Sequence, residues 1–213
     1  MRITVLGATG GIGGAFVQQA LDQGHEVTAV VRDPARLTTR HPRLSVRRGD
    51  VTDPGSLKEA VAGADAVVSA LGPRGLRGDM TVNSRGAHAA LTAMRAAGVE
   101  RIAVVSAGAV QPAGPGEGPA TRYLVRPLLW ALLGRHYRDL RAMERELRES
   151  GTDWTVVRPP RLTNGPHTGR YRTAVDGAAL PRARTLSRAD VADALLHALG
   201  DAATRRRAIA VGY

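Results

Sequence analysis

Cysteine is absent from this 213-residue chain. That excludes a disulfide framework and any site built on thiolate metal ligands. Aromatic side chains make up only 3% of the residues, which leaves little from which to build stacking platforms for single-stranded nucleic acid. No apolar run approaches the roughly 20 residues of a membrane-spanning helix. The first residues already read as a strand, not as a signal peptide. A soluble, cytoplasmic protein with no membrane partner is the expectation. Lysine is nearly absent too, because Lys58 is the only one among 30 basic residues. The formal charge of +11 is therefore arginine charge. Runs such as Arg205-Arg206-Arg207, and Arg182 with Arg184, would suit a phosphate backbone. But arginine is scattered over the whole chain beside abundant alanine and glycine, as a compositional bias on a solvated surface would leave it. No nucleic-acid partner is expected, although a positive field would help to draw in a polyanionic small molecule.

What the chain does have begins at once. Residues 3–6 are a short run of apolar strand formers, followed by Gly7, Gly10 and Gly13 at even spacing. A helical pattern comes next, with Ile12, Ala15, Phe16 and Ala20 on one side and Gly24 after it. Strand, glycine turn and helix form the first half of a dinucleotide-binding βαβ unit. Gly7 allows a tight exit from the strand, Gly10 lets a pyrophosphate approach the backbone, and Gly13 lets helix and sheet pack closely. The helix start, with Thr9, Gly11 and Ile12, offers unpaired N–H groups and partial positive charge to phosphates.

The rest alternates strand and helix. Strands are expected at 26–31, 44–47, 66–70, 101–106, 154–157 and 208–211. Asp33-Pro34 and Asp53-Pro54 each start a helix, with Asp as cap and Pro in the first turn. Helices are also expected at 82–97, 123–133, 135–149 and 188–199, the last capped by Ser187. The stretches 71–79 and 107–119 are rich in Gly with Arg or Pro and read as loops. Residues 161–185 read as irregular, with 171–175 as a hairpin arm. The fold class is α/β: a Rossmann, doubly wound, mostly parallel sheet flanked by helices. A single domain over 1–213 is expected, with a small substrate-side region built from 107–134 and 160–185.

In open α/β sheets, ligands lie beyond the carboxyl ends of the strands. That singles out the glycine turn, Arg32, Asp50 and Val51, Ala70, Leu71 and Gly72, Ser106, and Arg158 with Pro159. An acid at the end of the second strand holds ribose hydroxyls in NAD-binding proteins, whereas a 2′-phosphate needs a cation. Arg32 stands there, and its planar fork suits phosphate oxygens. The neighbouring Asp33 is either a ribose acid or a helix cap. NADP(H) is the expected cofactor. Asp50 and Val51 are placed to flank the adenine, or form a simple turn. Ala70, Leu71 and Gly72 let the backbone pass beside ribose and pyrophosphate. The dispersed histidines offer no i, i+4 pair beside a carboxylate set, so no metal is expected.

Gly7-Ala-Thr-Gly-Gly-Ile-Gly13, Val30-Val-Arg-Asp-Pro34, Gly49-Asp-Val-Thr-Asp53, Ala64-Asp-Ala-Val-Val68, Ser150-Gly151 with Trp154-Thr155, and Val157-Arg-Pro159 together resemble the atypical short-chain dehydrogenase/reductases. Within them the chain is most similar to the NAD(P)H-binding flavin-reductase/biliverdin-reductase-B-like group, over nearly its whole length. The resemblance implies an NADP(H)-dependent reductase acting on a small conjugated acceptor such as a flavin or quinone. Some members of the group act instead as redox-responsive regulators, so a non-catalytic NADP(H) sensor is the alternative. Ser106 matches the family serine after the fifth strand, where it bonds nicotinamide or substrate, or caps the strand end.

The wider superfamily pairs a tyrosine with a lysine one helical turn later, and the lysine lowers the phenol pKa. Tyr137 and Arg141 mimic that pair. Counting back from Ser150-Gly151, however, the family register puts His136 and Leu140 at the two positions. Ser106, Tyr137 and His136 are therefore the catalytic candidates. A carbonyl reductase or epimerase using Tyr137 and Arg141 is the further alternative. The oligomeric state is not legible.

Overall fold

The computed structural model describes residues 1–73, 75, 78–110, 123–124, 126–176, 180 and 183–213. Along the chain run β1 (Arg2–Leu6), α1 (Gly11–Asp22), β2 (Glu26–Val31), β3 (Leu44–Arg48), α2 (Pro54–Val61), β4 (Ala66–Ser69), α3 (Val82–Ala97), β5 (Arg101–Val105) and α4 (Arg126–Glu149). Then follow β6 (Asp153–Arg158), β7 (Arg161–Thr163), β8 (Arg172–Val175), β9 (Thr185–Ser187), α5 (Arg188–Gly200) and β10 (Arg207–Gly212). Among the described residues an eight-stranded sheet has the order β3-β2-β1-β4-β5-β6-β10-β8. All its neighbours pair in parallel except β8, which runs antiparallel on β10. The order reverses between β1 and β4, the switch point of a doubly wound sheet.

Strand periodicity explains the two-sided core. Side chains on a strand alternate between faces. Ile3, Val5, Val27, Ala29, Val68, Ala103 and Val105 pack on one face with Phe16 and Leu21 of α1 and Leu195 and Leu199 of α5. Leu6, Val30, Val67, Ile102 and Val104 pack on the other with Leu57 of α2, Met94 of α3 and Leu147 of α4. Strands buried on both faces read as near-continuous apolar runs, which is why these strands are legible in the sequence.

Four details differ from the sequence expectation. Residues 126–149 form one helix, so Gly134 does not break it. A lone glycine costs a helix about 1 kcal/mol, and the apolar stripe of Trp130, Leu133, Tyr137, Leu140 and Leu147 packs across it. Asp33-Pro34 opens only a three-residue turn of 3-10 helix. Segment 171–175 is no hairpin arm, because its partner β10 lies more than 30 residues further on, with Val175 opposite Ile209. The β7–β9 pair also falls within the stretch read as irregular. Residues 111–122 and 125 of the expected substrate-side region, and 177–179 and 181–182 within it, lie outside the described residues.

The first turns of α5 organise the segment that crosses the carboxyl edge of the sheet. Asp190 is fully buried. It accepts from the Thr168 and Gly169 backbone N–H groups at 2.8 and 2.9 Å, and from the Thr168, Ser187 and Tyr213 hydroxyls. One turn on, Asp193 accepts from the Tyr171 hydroxyl at 2.7 Å and lies 3.1 Å from His167 Nε2. Burial works against the Asp190 charge, but these donors outweigh it and hold the carboxyl down to about 2. Asp190→Ala leaves several donors without a partner. It is expected to cost about 3 kcal/mol of stability and to open residues 164–171 to proteolysis below the global unfolding temperature. Thermal melts and limited proteolysis of the variant check both effects.

Candidate functional site

The carboxyl ends of β1 and β4 meet the start of α1 in a contact that admits no side chain. Gly7 has φ +86°, and a Cβ there would lie 2.5 Å from the Ala70 carbonyl oxygen. A Cβ on Gly13 would lie 2.2 Å from the Gly7 oxygen. Gly10 N–H donates to that same oxygen at 2.9 Å, closing the turn. Gly10 is also the N-cap of α1 and has no side chain to cap with, and the first turn carries no acid. The N–H groups of Gly11, Ile12 and Gly13 point out of a helix start, where a phosphate can accept from them. The surroundings fit a dinucleotide: a close backbone crossing, an open helix N-terminus, and Thr9 on the turn.

The residues expected to face adenosine lie past β2 and β3. Arg32 is exposed at the end of β2. The side chain of Asp33 accepts from Ala35 N–H at 3.1 Å, so this acid caps the following turn. Asp50 accepts from the backbone N–H and the hydroxyl of Thr52, each at 2.9 Å. Those bonds hold its carboxyl below the ordinary value, with smaller help from the charges of Arg32 and Arg85. Val51 is buried. Leu71 folds down onto α3, where a Cβ on Gly86 would lie 2.3 Å from Leu71 Cδ1. Gly72 faces open space.

On the other side of the switch point, β5 and β6 end in a buried charge network. Ser106 hydroxyl donates to Glu144 Oε1 at 2.7 Å. Arg158 donates to the same carboxylate through Nε at 2.9 Å and through its terminal nitrogen, and Arg148 donates to Oε2 at 2.8 Å. Ser106, Glu144 and Arg158 are all buried. Burial alone would raise the Glu144 carboxyl, but the bonds and charge of Arg158, with Ser106 and Arg148, hold it below the ordinary value. The network joins β5, β6 and α4 at one point. Ser106 N–H also donates to Val157 O, and Gly108 N–H to Pro159 O, which stitches the two strand exits together.

The other catalytic candidates lie further up α4. Successive helical residues are ~100° apart, which puts Tyr137 within ~20° of Glu144 around the axis and His136 ~80° away. Tyr137 is buried in the cluster with Val110 and Leu140, its ring centroid 5.3 Å from that of Trp130. Arg141 donates to Val110 O at 3.2 and 3.1 Å and stacks 4.4 Å from the Trp130 ring centroid. Its guanidinium is thus occupied by a carbonyl and an indole face. Burial pushes the half-buried His136 imidazole below its ordinary value, and its Nδ1 has no hydrogen-bond partner among the described residues. A cavity of about 290 Å³ lies at the opposite, amino edge, lined by Arg2, Thr28, Arg43 and Gly63 among others. It is remote from all these groups.

The inward carboxylate at 144 escaped the sequence reading. Its signal was an acid on the apolar stripe of α4, four residues from Leu140 and three from Leu147. A buried acid needs a buried cation, and Arg158 at the end of an apolar strand was the available one.

A model of the NAD(P)H-binding family matches residues 7–202. An uncharacterized chloroplastic protein of Arabidopsis thaliana is 34% identical over 176 residues, 79% of this chain. The chain spans only 61% of that relative's length. An uncharacterized sugar epimerase of Bacillus subtilis is 28% identical over 98% of this chain and 92% of its own. The solved structure of a short-chain dehydrogenase/reductase from Veillonella parvula in complex with NADP superposes with TM-score 0.79 at 25% identity, covering 100% of this chain and 94% of that one. Among the described residues no helix is long and apolar enough to cross a membrane.

Glu144→Gln removes the charge that balances buried Arg158. Breaking such a pair typically costs ~3–5 kcal/mol. The sign with pH follows from the lowered carboxyl. The contribution of Glu144 is complete above the unfolded value near ~4.3 and fades as pH falls through the lower folded value. Stability of the variant should therefore fall less steeply than that of the parent protein below about pH 4. Denaturant unfolding at pH 7, 5, 4 and 3 measures it.

Proposed function

From the premise that the chain belongs to the NAD(P)H-binding Rossmann family, we propose that it is an NADP(H)-dependent reductase of small conjugated acceptors, such as a flavin or a quinone. It is an oxidoreductase-type protein by family, and the acceptor class is our reading. One observation carries it: two members of the relay that would bring a proton to a substrate oxygen are already engaged. The Ser106 hydrogen is given to Glu144. Arg141, the counterpart of the superfamily lysine in the Tyr137 pairing, is spent on Val110 O and Trp130. A conjugated acceptor that takes its proton from water needs only orientation and shielding from the protein.

Each residue then has a task. The glycine turn and the start of α1 hold the diphosphate, with Thr9 and Ile12 at its sides. Arg32 grips the 2′-phosphate, because the acid beside it is engaged as a cap. Asp50 and Val51 border the adenine. Ala70, Leu71 and Gly72 form the floor beneath the ribose. Ser106 keeps its lone pairs facing outward while its hydrogen points to Glu144, so it accepts from the carboxamide N–H of the nicotinamide. Pro159 and the backbone after Arg158 border the same ring, with Arg158 itself fixed below by Glu144. Bound NADP(H) would supply the hydride.

The proposal is tested by NADPH oxidation against a panel of flavins and quinones. Turnover on neither class, with tight NADPH binding retained, would favour a sensor instead. Cofactor choice is tested separately. NADPH is expected to bind at least about tenfold more tightly than NADH, a gap of ~1.4 kcal/mol, and Arg32→Ala should remove most of that gap while leaving NADH affinity unchanged. Calorimetry on both nucleotides decides it, and an unaltered preference in the variant places the cation elsewhere.

A second reading, carbonyl reduction or epimerisation, is favoured by one geometric fact. Tyr137 shares the face of α4 that carries Glu144. If the acceptor is a flavin or quinone, Tyr137→Phe should cost less than about tenfold in turnover. Loss of a true proton donor costs ~100-fold or more. A loss of that size with NADPH affinity unchanged would place Tyr137 and Arg141 in the site as a working pair and move the substrate class to aldehydes or ketones.

A further inference from the structure

The start of α5 carries Ser187, Arg188, Asp190 and Asp193, and three of these are consumed within the fold. Ser187 caps the helix, Asp190 gathers Thr168, Gly169 and Tyr213, and Asp193 takes Tyr171. Arg188 is not consumed in that way. It forms no ion pair with a carboxylate among the described residues. Its aliphatic stem lies across Gly11 at the first turn of α1: a Cβ on Gly11 would come within 2.6 Å of Arg188 Cδ and 3.3 Å of its Nε. At the far end of the side chain, Nη1 donates to Asn164 Oδ1 at 2.5 Å. The guanidinium is thus held from two sides beside the glycine turn, and it has five N–H donors of which this bond uses one.

We propose that Arg188 is a cofactor-binding residue that donates to the diphosphate of NADP(H), with Asn164 as the positioning residue that aims its fork. The inference rests on the cofactor reading above. A helix start offers about half a positive charge, which a diphosphate with two negative charges exceeds. A full cation at the same place supplies the difference. Helix α5 packs along α1, so the cation arrives on a rigid element at a fixed distance from the turn, and little freedom is lost when it binds. The site also explains Gly11, whose φ does not lie in the left-handed region. A methyl group there would displace the arginine stem. Arg32 lies beyond β2, on the adenosine side, so the two cations divide the cofactor between them: one for the phosphate that distinguishes NADP from NAD, one for the phosphates common to both.

That division sets the experiment. Calorimetry is run on the whole chain with NADPH, NADH and adenosine 2′-monophosphate, which lacks the diphosphate. Arg188→Gln is expected to weaken NADPH and NADH by the same factor, roughly tenfold to a hundredfold, and to leave adenosine 2′-monophosphate unchanged. Gly11→Ala keeps the backbone N–H and every charge, and should reproduce the pattern by moving the stem. Arg188→Lys should recover part of the loss, which guards against a variant that merely folds poorly. Wild-type affinity for both dinucleotides in Arg188→Gln overturns the assignment while leaving the cofactor reading intact. A loss confined to NADPH overturns it too, because Arg188 would then serve the 2′-phosphate. Failure of the unaltered protein to bind either dinucleotide overturns the cofactor reading itself, and this inference with it.

Discussion

The carboxyl edge of this fold depends on a contact between backbones. The turn after β1 meets the end of β4 and the underside of α1 at distances where a single methyl group would collide with a carbonyl oxygen. Close packing in protein interiors leaves no slack for such a group. Because Gly7 and Gly13 have no side chain, α1 starts directly over the switch point between β1 and β4. Helix α5 packs along α1 and brings its own first turn to the same edge. The positions of the N–H groups at the start of α1, of Arg188 and of the segment anchored by Asp190 are all inherited from that contact.

The second organising element is ionic. Glu144 sits where β5, β6 and α4 meet, and four hydrogen bonds end on its two oxygens. A buried ion pair is rarely a net gain in stability over an apolar equivalent. What it contributes here is direction. The carboxylate fixes which way the Ser106 hydroxyl points, and it draws Arg158 into the core. A strand-end serine can donate or accept, and the residue behind it decides which.

The parts of this architecture that were legible in the sequence are those encoded over short spans. The glycine turn, the alternation of buried strands and the capping residues Asp53 and Ser187 each lie within about a dozen residues, and the structure has them where the pattern put them. Asp33 was ambiguous between ribose acid and cap, and its bond to Ala35 N–H shows the cap. Less legible features depend on partners far along the chain. Nothing near residues 172–175 announces β10, and nothing near Arg188 announces Gly11, 177 positions earlier. Helix α4 misled for a different reason. Gly134 reads as a stop because propensity is a local measure, whereas the stripe from Trp130 to Leu147 stabilises the helix through the core. Tyr137 and His136 both follow Gly134, so their relative rotation was fixed either way; what the uninterrupted axis adds is Trp130, one helical stretch earlier, against the Tyr137 ring.

The arginine excess also looks different at the margins of the sheet. An open sheet ends in strands with unpaired N–H and C=O groups, which can template the strand of another chain. One margin is β3, whose Ser45, Val46, Arg47 and Arg48 are all exposed. The other is β8, which begins at the exposed Arg172. Two copies approaching edge to edge at β3 would bring these guanidinium groups together, and like charges at that spacing repel. Arg47 and Arg48 thus put charge of one sign along an open sheet edge, the kind of feature that disfavours pairing with another strand there.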